Sequence, residues 1–277
     1  MGKPQPSIED IREALIAKPG KPFKLAERAC RDTVFYEDKK DALESSAADA
    51  SAIDELQDCL YAEGARALLV VLQGMDTAGK SGTIKSVFRD TSPLGMQVKA
   101  FKRPSAEELA RDYLWRVHNA VPRKGHIGIF DRSHYEDVLV VKVRSFSPMS
   151  VIEQRYDQIN AFEKHLTENG VTVLKCMLNI SKDEQAERLR DRLEKPHKRW
   201  KFNPGDLDDR KHWDRFMDAY ETAVERCATK HAPWYVIPSD SKSRRNALVA
   251  RLVRGTLETM NPRHPDTGFR PDELKVT

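Results

Sequence analysis

At 277 residues the chain is long enough to bury a full core, as one large domain or two small ones. Its 39% hydrophobic and 32% charged residues suit a soluble globular protein, with no apolar run of membrane length and no signal-peptide pattern over residues 1–21, so a cytoplasmic location is expected. A net charge of +4, from 47 Lys plus Arg against 43 Asp plus Glu, does not by itself imply a polyanion partner, and the scattered Cys30, Cys59, Cys176 and Cys227 argue against structural zinc or a disulfide framework.

Residues 1–66 read as a helical lead-in to a single domain. Ser7 caps a short helix, IEDIREALIA, before Pro19, Gly20 and Pro22 break the pattern. A second helix over residues 49–63 sets Ile53, Leu56 and Leu60 on one stripe, as a linker or outer layer without chemistry of its own.

Ala67–Gln73, ALLVVLQ, reads as a buried strand and runs into Gly74-Met75-Asp76-Thr77-Ala78-Gly79-Lys80-Ser81, the phosphate-loop pattern. Glycines there let successive N–H groups converge on phosphate oxygens, so Gly74, Thr77, Ala78, Gly79 and Lys80 are candidate phosphate contacts. Ser81 can also offer its hydroxyl to Mg²⁺. Helical spacing through Ile84, Val87 and Phe88 puts the loop at a helix N-terminus. Asp76 is unusual, because a carboxylate in an anion cradle opposes phosphate unless a cation intervenes. It either faces Mg²⁺ and its water shell or caps the turn.

A strand over residues 97–101 ends in Lys102-Arg103, which are either phosphate or acceptor contacts or simply solvated. The capping box Ser105-Ala106-Glu107-Glu108 opens a helix expected to reach about residue 119. The strand over 126–131 closes on Asp131, an acid placed to hold Mg²⁺, and the adjacent Arg132 can brace a transferring phosphoryl group. The alternative makes Asp131 a helix cap and Arg132 a surface ion pair. His134 reads as packing or positioning. A long helix over 149–169 carries Ile152, Tyr156, Ile159, Phe162 and Leu166 on one side, and a strand over 171–180 leads to a second capping box, Ser181 with Glu184.

Arg188 and Arg192 lie four apart on one helix face, and residues 195–202 then place Lys195, Lys198, Arg199 and Lys201 together without an acid. Beside a phosphate loop this predicts a lid, over about residues 181–209, that brings cations onto a polyanionic substrate. Trp200 and Phe202 are weak evidence for nucleic acid, which is not expected as a partner. Asn203-Pro204-Gly205-Asp206 reads as a turn, followed by a helix over 209–230 with Trp213, Phe216 and Tyr220 on one face. A last strand, Trp234–Pro238, a helix over 246–260 and a Pro-rich tail over 261–277, loosely ordered or lying on a neighbouring subunit, complete the chain. Five strands alternating with helices predict an α/β three-layer sandwich of the P-loop kinase-like type, with a five-stranded parallel sheet covered by helices on both faces.

Three blocks together resemble the polyphosphate kinase 2 family: residues 74–82, residues 130–139 (FDRSHYEDVL) and residues 199–206 (RWKFNPGD). The resemblance implies reversible, Mg²⁺-dependent phosphoryl transfer between inorganic polyphosphate and adenine or guanine nucleotides, with Mn²⁺ as a substitute ion, by a homo-oligomer of two or four copies. It carries functional roles to Asp76, Lys80, Asp131, Arg132, Arg188 and Arg192, with Asp76 and Asp131 holding the metal. Lys102, Arg103, Lys198 and Arg199 would line a basic track for the polymer. His134-Tyr135-Glu136-Asp137 resembles the class III members, which phosphorylate both nucleoside monophosphates and diphosphates, and makes Glu136 the candidate for acceptor discrimination. Asp131 stands where class III is associated with Asn and resembles the diphosphate-using class instead.

Two rivals share these features. An ATP-dependent nucleotide or small-molecule kinase would use the same loop and lid without polyphosphate. A non-catalytic polyanion-binding protein would bind tightly without turnover, with a salt dependence set by the basic segment.

Overall fold

All seven residues of β1 (Ala67–Gln73) are buried, because the strand lies at the centre of a sheet covered on both faces. In the computed structural model, which describes residues 6–266, 268 and 270, five parallel strands run in the order β2-β3-β1-β4-β5. The others are β2 (Met96–Ala100), β3 (Ile127–Asp131), β4 (Val171–Asn179) and β5 (Trp234–Pro238). Leu72 of β1 stands opposite Asp131 of β3 and Cys176 of β4, so the phosphate loop and the acidic end of β3 leave the sheet at the same edge. Chain order reverses beside β1, which opens the crevice where open parallel sheets bind ligands.

The lead-in belongs to the core. In α1 (Ile8–Leu15) the buried Ile11 and Leu15 pack inward, and the chain after it bonds to β5 through Ala17 N–H and the Trp234 carbonyl at 2.9 Å. The next helix, α2 (Lys39–Glu63), starts ten residues before the expected 49. Asp38 caps it, accepting from the Asp41 N–H at 2.9 Å. Its added turns bury Ala42, Ser45 and Ser46, small or polar residues that form a helix face without an apolar stripe.

Beyond the phosphate loop comes α3 (Lys80–Val87). The Ser105–Glu108 capping box forms in both directions, at 3.2 and 2.8 Å, yet the helix expected to reach residue 119 divides into α4 (Ala106–Leu109) and α5 (Trp115–His118). Between them the Asp112 side chain accepts from the Leu114 N–H at 3.0 Å, a local turn that competes with helix continuation. After β3 follow α6 (Val140–Val143) and α7 (Met149–Glu168), whose buried Ile152, Tyr156, Ile159 and Leu166 match the predicted stripe.

Only half of the second capping box forms at the start of α8 (Lys182–Glu194). Ser181 Oγ accepts from the Glu184 N–H at 3.2 Å, while the Glu184 carboxylate turns to Arg188 at 2.7 Å. The segment 203–206 starts a helix instead of a turn: Asn203 caps α9 (Pro204–Lys211), with Pro204 at the first position, where its missing N–H costs nothing. The predicted helix over 209–230 is accordingly α10 (Trp213–Cys227). The last helix, α11 (Lys242–Met260), packs along α2 and ends at Asn261 with φ +50°. The tail begins by folding back on its own chain, His264 Nε2 lying 3.4 Å from Cys59 Sγ of α2; residues 267, 269 and 271–277 fall outside the described residues. Helix α7 packs on β4 and against α10, while α11 packs on β4 and β5 and against α1 and α2. Among the described residues no helix is long and apolar enough to cross a membrane.

The turn after β3, residues 134–137, rests on a buried polar network. Lys175 of β4 donates to Glu163 of α7 at 2.5 Å, to the Tyr135 hydroxyl at 2.8 Å and to the Cys227 carbonyl at 2.8 Å. Glu163 also accepts from Tyr135 at 2.9 Å and lies 3.2 Å from His134 Nε2. Burial pushes the Glu163 carboxyl up, but Lys175 and His134 together bring it below its ordinary value, so it stays ionised. Lys175→Met would leave Glu163 buried without its main partner. Urea unfolding should show a loss of about 3–5 kcal/mol, and Lys175→Met/Glu163→Leu should recover much of it.

Candidate active site

Backbone geometry at the end of β1 is unusual over six residues: Gly74 has φ +150°, Thr77 +66° and Gly79 +110°. These left-handed positions fold the loop so that Lys80, the first residue of α3, turns back beneath it. Its ammonium donates to the Gly74 carbonyl at 2.8 Å and the Met75 carbonyl at 3.2 Å. Burial lowers the Lys80 pKa and Arg132 adds to this, while Asp76, Asp131 and Glu136 oppose it.

Asp131 comes to the same place from the end of β3. Its carboxylate accepts from the Ser81 hydroxyl at 2.9 Å, which joins the first turn of α3 to the strand-end acid. Arg132 follows with φ +66°, a conformation that swings its side chain back over the loop. Its guanidinium bonds to Asp76 and reaches Glu136 at 3.4 Å. Glu136, and then Asp76, raise the Arg132 pKa above its ordinary value against burial. Glu136 is held on its other side by Gln73, whose amide, oriented to donate to Glu136 at 3.1 Å, accepts from the Ser133 N–H at 3.0 Å. Glu136 therefore faces Arg132 and Gln73.

The two predicted lid arginines part company. Arg188 is buried and does not face the crevice. It donates to the carbonyls of Thr77 at 2.9 Å, Ala78 at 3.1 Å, Ser239 at 2.7 Å and Asp240 at 2.9 Å, and it pairs with Glu184. All of its N–H groups are on protein acceptors, so in this structure it braces the loop from behind. Arg192, one turn on, reaches Asp206 of α9 at 3.0 Å and the Lys201 carbonyl at 3.2 Å. Asp206 in turn lies within the electrostatic reach of Asp76 and Arg132, so Arg192 stands at the mouth of the site.

The expected basic track is gathered only in part. Lys198 pairs with Asp191, and Arg199 donates to the Leu193 carbonyl at 2.9 Å, both within the lid. Lys102 and Arg103 are exposed on the loop after β2. Three residues near the site were not among the sequence candidates. Tyr220 of α10 is buried beside Glu136, Arg132 and Asp76, and burial followed by the Glu136 charge pushes its hydroxyl well above the ordinary range. It was legible only as a member of an apolar stripe. Asp206 was hidden in what read as a turn. Arg245, at the start of α11, donates to the Ala78 carbonyl at 2.9 Å, and nothing in the helical run Lys242-Ser243-Arg244-Arg245 marks it.

The glycine-rich loop, a serine bonded to a strand-end aspartate and Arg132 over the loop thus come together at one edge of the sheet. Residues 36–265 match the family model of polyphosphate kinase 2. The chain is 49% identical over 246 residues to the AMP/ADP-polyphosphate phosphotransferase of Meiothermus ruber, covering 88% of this chain and 92% of that one. It is 38% identical over 246 residues to the ADP-polyphosphate phosphotransferase of Rhodopseudomonas palustris, covering 84% and 85%. Its fold superposes on the crystal structure of polyphosphate kinase 2 from Arthrobacter aurescens with a TM-score of 0.92 at 41% identity, over 97% of this chain and 95% of that one. The protein belongs to the polyphosphate kinase 2 family.

Proposed function

We propose that this chain transfers a phosphoryl group reversibly between inorganic polyphosphate and a nucleotide, with both AMP and ADP as acceptors. The observation that carries the reading is the convergence of Lys80, Arg132, Asp76 and Asp131 on one loop, in a member of this family. The names of the relatives favour polyphosphate over the ATP-dependent kinase and the non-catalytic binder, and the 49% identical relative is named for both AMP and ADP. That relative supports the broad acceptor range suggested by the residues 134–137, even though Asp131 resembles the diphosphate-using class.

Phosphoryl transfer leaves a protein little covalent work, so catalysis rests on in-line positioning and on cations set against spread negative charge. Of the cations on the loop, Lys80 and Arg132 are the two set among Asp76, Asp131 and Glu136. Arg132, now bonded to Asp76, can exchange that carboxylate for a phosphoryl oxygen without moving its backbone. Arg192 can do the same with Asp206. Asp131 and Ser81 form a hard-oxygen pair of the kind that would hold Mg²⁺, or Mn²⁺, together with water and phosphate, and Asp76, bonded to Arg132, acts with Asp131 on Lys80. When bound, the cation would neutralise charge on the phosphoryl oxygens. On the family resemblance, guanine nucleotides and a working form of two or four copies belong to the same proposal; GMP and GDP in the same assay, and sedimentation velocity, test them.

Purified protein given Mg²⁺ and polyphosphate should form ATP from ADP, and ADP followed by ATP from AMP, with no ATP supplied. Product from ADP alone would remove the AMP half of the proposal. Arg132→Ala should lower kcat by about 10²–10³ with an unchanged circular-dichroism spectrum, and near-normal turnover would dismiss Arg132 from catalysis. Glu136→Asn, by freeing Arg132 on one side, should alter the ratio of AMP to ADP rates.

The Arg192–Asp206 pair is also a pH test. Burial, and then the Asp76 charge, push the Asp206 carboxyl up to about 6, against Arg192 and Arg132. Its folded value lies above the unfolded value of about 4, so the folded state binds the extra proton and gains from it at low pH. Relative to Asp206→Asn, the wild-type protein should therefore lose thermal stability as pH rises from about 4 to about 6. A stability difference that is flat over that range would show that Asp206 does not titrate there.

A further inference from the structure

Four arginines are buried among the described residues: Arg116, Arg188, Arg245 and Arg251. Arg116 has Glu108 at 3.7 Å, Arg188 has Glu184 at 2.7 Å and Arg251 has Asp49 at 2.9 Å. Arg245, 2% exposed, has no carboxylate at ion-pair distance among the described residues. Its guanidinium donates to the Asn246 side-chain oxygen, from Nε at 3.1 Å and Nη2 at 2.8 Å, and to the Ala78 carbonyl from Nη1 at 2.9 Å. Burial, and then the neighbouring Arg188, pull its pKa down to about 9, with only Glu184 opposing. A buried cation with no counter-charge is costly, and it lies at the N-terminal turn of α3, where the helix dipole is also unfavourable to it.

The same guanidinium accounts for a second feature of the loop. A Cβ on Gly79 would lie 2.0 Å from Arg245 Nη1, so glycine is needed there for the room it leaves as well as for φ +110°. A planar trans peptide points its N–H opposite to its carbonyl. Anchoring the Ala78 carbonyl therefore aims the Gly79 N–H out of the far side of the loop, where it has no hydrogen-bond partner among the described residues.

We propose that Arg245 is a positioning residue for phosphate binding: it fixes the Ala78–Gly79 peptide so that the Gly79 N–H meets a phosphoryl oxygen, and its uncompensated charge is balanced when the polyanion occupies the loop. This rests on the reading that the loop holds the phosphate chain. Arg188 shares the Ala78 carbonyl but carries its own carboxylate, so the charge deficit belongs to Arg245.

The test measures thermal stabilisation by tripolyphosphate, together with kcat and the KM for polyphosphate, in wild type, Arg245→Met and Arg245→Lys. Arg245→Met should melt no lower than wild type without ligand, lose most of the stabilisation by tripolyphosphate, and raise the KM about tenfold while kcat changes little. Arg245→Lys, which keeps the charge but reaches fewer acceptors, should fall between the two. An Arg245→Met protein that melts lower on its own yet keeps the wild-type KM and the wild-type response to tripolyphosphate would reduce Arg245 to a structural role and overturn the inference. If Arg245→Met does not fold, Arg245→Lys carries the test, and a wild-type KM in that variant overturns the positioning of the peptide. Wild-type protein that tripolyphosphate fails to stabilise would instead overturn the reading of the loop itself.

Discussion

Arg188 joins three parts of the chain that are far apart in sequence. Its guanidinium takes the Thr77 and Ala78 carbonyls of the phosphate loop and the Ser239 and Asp240 carbonyls after β5, while Glu184 on its own helix balances the charge. Where Arg188 and Arg245 hold the Ala78 carbonyl, the opposite Gly79 N–H is turned the other way, so the side chains that brace the loop also set the direction of that amide. The base of α8 is thereby tied to the loop. Arg192 and the 3-10 turn Pro196–Lys201 lie beyond that anchor.

The free site holds its cations on internal partners. Asp76 sits on Arg132, Asp206 on Arg192, and two carbonyls on Lys80. Each partner satisfies a cation that would otherwise be partly buried without one. Arg245 differs because its partners are neutral. Arg245 is thus the one buried arginine among the described residues without a carboxylate at ion-pair distance.

Beneath this layer, Lys175, Glu163, Tyr135 and His134 seat the 134–137 turn on β4 and α7. The two sides of the site are therefore held by different means. Main-chain carbonyls clamped by arginines hold the phosphate loop, and a buried ion pair with a tyrosine holds the turn that carries Glu136.

Much of this was legible in the sequence. Strand and helix periods are properties of local residue order, so the buried run ALLVVLQ and the stripe through Ile152, Tyr156, Ile159 and Leu166 could be read directly. The phosphate loop and Asp131 were also legible, because their chemistry needs particular residue types at short spacing. Boundaries failed where side chains outbid the period: the Asp112 turn divided one helix, Asn203 with Pro204 started another where a turn was expected, and the small and polar residues of α2 hid ten helical positions.

The fold class, the loop and the strand-end acid were thus determined by the sequence itself, through pattern and spacing. Only the tertiary structure decided which arginine serves which purpose. Arg188 and Arg192 share a helix face and look alike in sequence, but a turn of helix separates a residue locked under the loop from one at the mouth of the site. Arg245 lies 167 positions from the carbonyl it holds, and its role exists only because α11 packs against α3. A guanidinium takes its function from the acceptors within about 3 Å of it, and those are set by packing between distant segments, which no local pattern records.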